Sequence, residues 1–303
     1  MDKRGWRPFW AAFFASLLVL VPLAGGTVLL TRHTARLRLE AAESQSGVAV
    51  AVPKADDRLT VLLCAAGERP GFVLAYLNAA QNCIHLLAIP AQTAVEFGGQ
   101  EVTLADCYSA AGPARCREAL APLLGLPDET HYLALSAAVR EGIASRFGAL
   151  RVGFSGALTP DELALSGRDA AVQGISAREA SDFLNGLDTS GLVPAGHRAA
   201  ARAAVWDAFF RQNLELLPTT LPDALRAYSS SLLTDLTAQD YLRLETTLEF
   251  LANSSAGVTS SALPGDWDAA ADRYTLTDAS RAAVQTFFNI GPTAGQEASS
   301  SAP

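Results

Sequence analysis

The sequence predicts an α/β domain behind a single membrane-spanning helix, and three observations predict it. Phe9–Leu30 is 22 residues without a charge, enough for a helix to cross the ~20-residue span of a hydrocarbon core. Leu59–Val95 holds three short apolar runs separated by turn-forming residues. Strand-like and helix-like segments then alternate over about 230 residues, the pattern of a sheet covered by helices. No repeat at a fixed period interrupts it.

Composition narrows the class. At 303 residues the chain has ample length to bury a core. Half of its residues are hydrophobic, and its formal net charge is -8 without a basic run. General nucleic-acid binding is therefore excluded as a function class, since phosphate neutralisation needs clustered Lys and Arg. Four cysteines, Cys64, Cys83, Cys107 and Cys116, are too few for a disulfide-built scaffold. With no Cys-x-x-Cys and no clustered His, a zinc site is not expected.

Residues 1–8 form a short N-terminus, and 9–30 read as an uncleaved anchor. A cleaved signal peptide is the competing reading, but it needs a shorter apolar core and small cleavage residues. Lys3, Arg4 and Arg7 before the span nearly balance Arg32, Arg36 and Arg38 after it, so charge alone does not orient it. Residues 31–57 are a small-residue spacer. The folded domain occupies 58–290, and the Ser/Ala/Gly-rich stretch 291–303 is a disordered tail by composition.

Within the domain, Leu59–Cys64, Phe72–Leu77 and Cys83–Ile89 read as strands bounded by Gly, Pro and Asn. The break at Asn78–Asn82 makes the second and third an antiparallel hairpin. Their near-continuous apolar character predicts cover on both faces. Glu68-Arg69 and Gln92-Thr93 then lie at strand ends. Glu96–Gln100 is a hairpin turn. A helix is expected from Pro113, a first-turn residue, to a stop at Gly125. His131–Leu135 alternates as a strand, and Ser136 caps a helix whose Val139, Ile143 and Phe147 share a face. Leu150–Gly156 and Glu162–Leu165 read as short edge strands. Ser176-Ala177-Arg178-Glu179 has the capping-box form, opening a helix through Phe183 and Leu184. A long helix spans about His197 to Leu217. Thr237 opens another to Leu251, residues 253–264 are a loop or edge strand, and Arg273–Leu276 is a strand. Thr277 or Asp278 caps the last helix, which ends at Phe288.

The order of these segments resembles the LytR-CpsA-Psr family of membrane-anchored cell-envelope proteins. Where that family reads Leu-Leu-Leu-Gly-x-Asp, Arg-Ser-Asp-Thr and Ser-Ile-Pro-Arg-Asp-Thr, this chain holds Leu62–Ala66, Arg69–Phe72 and Ala88–Thr93. Lys-Ile-Asn-x-Ala-Tyr-x-x-Gly-Gly-Pro is similar to Val102–Pro113, and Leu-Leu-Gly-Ile-Pro-x-x-His-Tyr to Leu123–Pro127 with His131-Tyr132. The resemblance implies an α/β/α sandwich with a mixed central sheet, placed outside the cell. It implies an apolar cavity for a polyprenyl chain, arginines that grip its pyrophosphate, and a divalent cation such as Mg held by aspartates. The reaction it implies is transfer of an anionic glycopolymer from its lipid carrier to peptidoglycan.

Departures from the pattern qualify that expectation. The two metal-binding aspartates fall on Ala66 and Gly71, and the Arg-Asp of the Pro-Arg-Asp-Thr motif on Ala91-Gln92. A later arginine falls on Asn185, after Ala180 and Phe183. The family's Gly-Asp-x-x-Arg-x-x-Arg helix is similar to Gly196–Ala204, with His197 in place of Asp. Arg69, Pro90, Thr93 and Arg202 persist. The expected pyrophosphate ligands are thus Arg69, Gln92, Thr93 and Arg202, with no metal site and no cofactor.

Each candidate also has a plain structural reading. Arg69 suits a solvated loop, Thr93 a turn cap, and Arg198 and Arg202 an exposed helix face. His85, in the middle of an apolar strand, reads as a core histidine. His131 and His197 have no triad partners at a suggestive spacing. The cysteines read either as small buried hydrophobes or as one or two disulfides, with Cys107 and Cys116 flanking a turn and Cys64 and Cys83 on neighbouring strands. The expected protein is a single-pass envelope protein whose partners are the membrane and polyprenyl-linked glycopolymer or peptidoglycan, with catalysis weak or absent. An active transferase, a scaffold without a ligand, and a cytoplasmic placement of the domain are the alternatives.

Overall fold

The structure, a computed structural model, describes residues 52–67, 69–165 and 172–288. The anchor at 9–30, most of the spacer, Glu68 and the tail at 291–303 lie outside the described residues. Among the described residues no helix is long and apolar enough to cross a membrane.

The elements in chain order are β1 (Arg58–Ala65), β2 (Gly71–Asn78), β3 (Cys83–Ile89), β4 (Ala94–Phe97), β5 (Gln100–Thr103) and α1 (Leu104–Leu124). Next come β6 (His131–Leu135), α2 (Ala137–Ala144), β7 (Leu150–Gly153), α3 (Pro160–Leu165), β8 (Val172–Ile175), α4 (Ala177–Ser190) and α5 (Ala195–Asn213). The remainder is α6 (Leu217–Ala227), β9 (Leu233–Thr234), α7 (Ala238–Asn253), β10 (Gly257–Ala262), β11 (Asp266–Asp268), β12 (Arg273–Thr275) and α8 (Asp278–Phe288).

Six strands form one mixed sheet in the order β10-β3-β2-β1-β6-β9. The predicted β2–β3 hairpin is present, pairing Phe72 with Ile89 through Asn78 with Cys83. At its turn Asn82 adopts φ 52°, a conformation Asn tolerates better than most residues. β1 lies antiparallel to β2, and β6 joins its other side in parallel. Alternation along the strands sends Leu59, Val61 and Leu63 to one apolar cluster with α2 and α4–α7. Leu62 and Cys64 go to a second cluster with α1 and α8. Helices therefore cover both faces, which is why the central runs carry no polar alternation.

Caps read from sequence are in place. Ser136 accepts from the Val139 amide, and capping boxes close at Ser176–Glu179 and Thr237–Asp240. Gly125 ends α1 in the left-handed region at φ 64°. Gly98 and Gly99 supply the positive φ of the β4–β5 turn.

Four readings are corrected. α1 begins at Leu104, with Thr103 as its cap, and not at Pro113; Gly112 at φ 78°, ψ -174° breaks it, so Pro113 opens only its second half. Glu162–Leu165 is helical, because Thr159 and Glu162 exchange side-chain-to-amide bonds at 2.8 and 3.3 Å, with Pro160 directly after Thr159 as the first helical residue. The long helix stops at Asn213, and Pro218 starts a separate helix at its first turn. Phe147 packs on the core from beyond the end of α2 rather than from its face.

Candidate functional site

The odd-numbered face of β1 and its neighbours does not close fully against the helices. Val61, Leu63, Ala75, Leu77, Leu133 and Leu135 floor a cavity of about 170 Å³, walled by apolar side chains of α2 and α4–α7. The charged groups on its lining are three arginines, Arg69, Arg140 and Arg202. A second, polar cavity of about 320 Å³ shares Arg69 with it and adds Gln92, Asp106, Asp188 and Asp272. Arg69 thus stands where the apolar interior meets the polar surface.

The arginines are held by backbone as much as by charge. Asp188 lies near the C-terminus of α4, where helix carbonyls lack intrahelical partners. Its carbonyl accepts from Arg69 and, at 3.3 Å, from Arg198. Its carboxylate accepts from Arg202 Nη2 at 2.6 Å. Arg140 reaches from α2 to the ends of β1 and β6, donating to Ala66 O at 3.1 Å, Leu135 O at 3.0 Å and Ser181 Oγ at 3.0 Å. Burial and the positive charge of Arg202 hold the Arg140 guanidinium below its ordinary value. Arg198 lies over the Trp267 ring at 6.0 Å and 3.4 Å from Asp272. Its Nε is buried without a partner among the described residues.

Four arginines thus gather here in a chain of net charge -8, and the carboxylates paired with them are buried Asp188 on Arg202 and exposed Asp272 on Arg198. Such a cluster favours an added anion, and planar guanidinium forks suit phosphate oxygens. The apolar walls favour a hydrocarbon. A ligand that satisfies both is an anion on a lipid.

Of the residues expected from sequence, Arg69 and Arg202 meet at this mouth. Arg198 and Arg202 are 3% and 5% exposed, so the exposed-face reading is not what the fold adopts. Gln92 borders the polar cavity, and with its amide oxygen turned inward it accepts from Arg198 Nη2 and Nη1 at 3.2 and 3.3 Å. Thr93 is 0% exposed and donates to Pro90 O at 2.7 Å; it holds the turn that presents Gln92. His197 pairs with Glu162 at 2.8 Å. His85 is buried against Tyr76 and Phe287, its Nδ1 on Thr259. All four cysteines are free and buried. Cys64 and Cys83 do not sit on neighbouring strands, because β2 separates β1 from β3.

Arg140 and Asp188 escaped the sequence reading. Arg140 is one arginine in an amphipathic helix, and only the crossing of α2 over the end of β1 brings it in. For Asp188, the sign was an acidic residue in the last turn of a helix, where a carboxylate opposes the helix dipole unless cations compensate it.

No protein-family model matches the sequence, and none of the curated proteins matches it. Solved structures do match. A Eubacterium siraeum protein described as a transcription regulator shares 16% identity over 82% of this chain and 97% of its own, with a TM-score of 0.64. TagT of B. subtilis shares 15% identity over 76% and 90%, at 0.56; TagT bound to LIIa-WTA gives 0.59. A LytR-Csp2A-Psr enzyme from Actinomyces oris shares 17% over 79% and 94%, at 0.55. Likeness at these identities defines architecture, and the domain that begins near Pro53 has the LytR-CpsA-Psr fold.

Proposed function

We propose that this protein binds a polyprenyl-linked anionic ligand at the cell envelope, with the prenyl chain in the apolar cavity and its phosphates on Arg69, Arg140 and Arg202. The observation that carries the reading is the cavity itself: apolar walls with three arginines on one lining. The fold shared with TagT and the Actinomyces oris enzyme supports an envelope role. In this reading Phe9–Leu30 anchors the chain, and the domain lies outside the cell, within reach of lipid-linked glycopolymer and peptidoglycan.

Catalysis is weak or absent. Moving a glycopolymer phosphate requires an acceptor oxygen to attack phosphorus while the prenyl phosphate leaves, and a base to take the acceptor's proton. The buried carboxylate nearest the arginines, Asp188, is already ion-paired to Arg202. A DNA-binding role has less support, since the chain is acidic and two of the site's arginines, Arg198 and Arg202, are buried.

The test is native mass spectrometry of the full chain extracted gently from its own membrane. A bound polyprenyl phosphate or pyrophosphate, lost in Arg69→Ala, supports the reading. A clean apo mass that takes up no added polyprenyl pyrophosphate contradicts it and favours a scaffold.

A further inference from the structure

The resembled family holds a divalent cation on aspartates whose places here are Ala66 and Gly71. The residues present do not fit such an ion. Neither side chain offers an oxygen, and both places are taken by cationic groups. At the first, Arg140 Nη1 donates to the Ala66 carbonyl at 3.1 Å. At the second, the Arg202 guanidinium lies against the bare backbone of Gly71: a Cβ there would sit 2.2 Å from Nε and 2.6 Å from Cζ. Among the described residues no group of three or more His, Cys, Asp or Glu side chains is placed to hold a metal.

These contacts explain one another. Glycine opens β2 because any larger residue would displace Arg202. Arg202 can remain there because Asp188 balances it at 2.6 Å. A divalent ion brought to the same spot would meet two guanidiniums that already repel each other. The positive charge of the site is therefore built into the chain.

We propose that Arg140 and Arg202 stand in the place of the cation, so that the site binds its pyrophosphate ligand without any divalent metal. This rests on the anionic-lipid reading above. Guanidiniums supply oriented N–H donors to phosphate oxygens at fixed positions, and they need no free coordination site. Recognition then depends on the two side chains and the gap at Gly71, and not on the ionic content of the medium.

The test is equilibrium binding of farnesyl pyrophosphate to the full chain in detergent, once with Mg²⁺ and once with EDTA. The expected dissociation constants agree within about threefold, and Arg140→Met and Arg202→Met each weaken binding at least about tenfold in both buffers. Circular dichroism checks that each variant is folded, and the conservative Arg202→Lys provides a second, milder perturbation. Glu68→Gln, at the acidic position between Ala66 and Gly71, leaves binding and its metal independence unchanged. Binding that appears only with Mg²⁺, or that becomes metal-insensitive only in Glu68→Gln, overturns the inference while the lipid reading stands. Absence of binding in both buffers overturns the two together.

Discussion

Replacing Arg202 by methionine removes the partner of a buried carboxylate. Asp188 is 6% exposed and Arg202 5%, and Nη2 to Oδ2 is 2.6 Å. Breaking a buried pair from one side costs about 3–5 kcal/mol, because the remaining charge keeps its desolvation penalty without its compensation. Removing both charges avoids that penalty, so Arg202→Met combined with Asp188→Asn costs much less than Arg202→Met alone. With a urea slope of about 2–3 kcal/mol/M, the single variant lowers the midpoint by about 1–2.5 M. The assay is urea unfolding of the purified chain followed by tryptophan fluorescence, to which Trp206 on the cavity wall contributes. A loss below about 1 kcal/mol, the range of an exposed pair, refutes the reasoning. So does a double variant no more stable than the single one.

Gly71→Ala places a Cβ 2.2 Å from Arg202 Nε and is expected to cost about 1–3 kcal/mol as overpacking, measured by the same unfolding curve. Ser176→Ala removes the cap of α4 and lowers stability by about 0.5–2 kcal/mol, read as a shift in thermal midpoint. Burial holds the His85 imidazole below its ordinary value. As pH falls below about 6.5 the unfolded chain therefore takes up the proton first, and stability is lost until the folded value is passed; His85→Gln lessens the loss of thermal midpoint on acidification. Burial raises all four thiols, Cys83 to about 11, so iodoacetamide leaves the native chain unmodified and labels all four cysteines in urea without a reductant.

The centre of the fold was legible because its residues admit one solution. Runs such as Phe72–Leu77 are too short for helices and too apolar for a one-faced strand, and Ser176, Thr237 and Gly125 announce helix ends through local chemistry. The true start of α1 carried a signal in Thr103-Leu104-Ala105-Asp106, the Thr-x-x-Asp form that also opens α7, and Thr103 accepts from the Asp106 amide; Gly112-Pro113, which also has the form of a helix start, competed with it. The site divides along the same line. Arg69 stands in a loop between two recognisable strands and could be placed from sequence. The burial of Arg198 and Arg202 depends on which face α5 turns inward, and an alanine-rich helix with charges on several sides does not declare that. Arg140 and Asp188 come together with Arg202 only through the crossing of α2, α4 and α5, contacts of tertiary origin that no local pattern encodes.

The central claim is that one ligand uses the cavity and the arginines at once. The most direct measurement is the affinity of the full chain for a matched series: a prenyl pyrophosphate, the corresponding prenol, and inorganic pyrophosphate. The account predicts that the prenyl pyrophosphate binds at least about a hundredfold tighter than either half. It also predicts that Val61→Phe, which fills the cavity, and Arg69→Ala each remove most of that advantage. Equal affinity for the prenol, or for inorganic pyrophosphate, contradicts it.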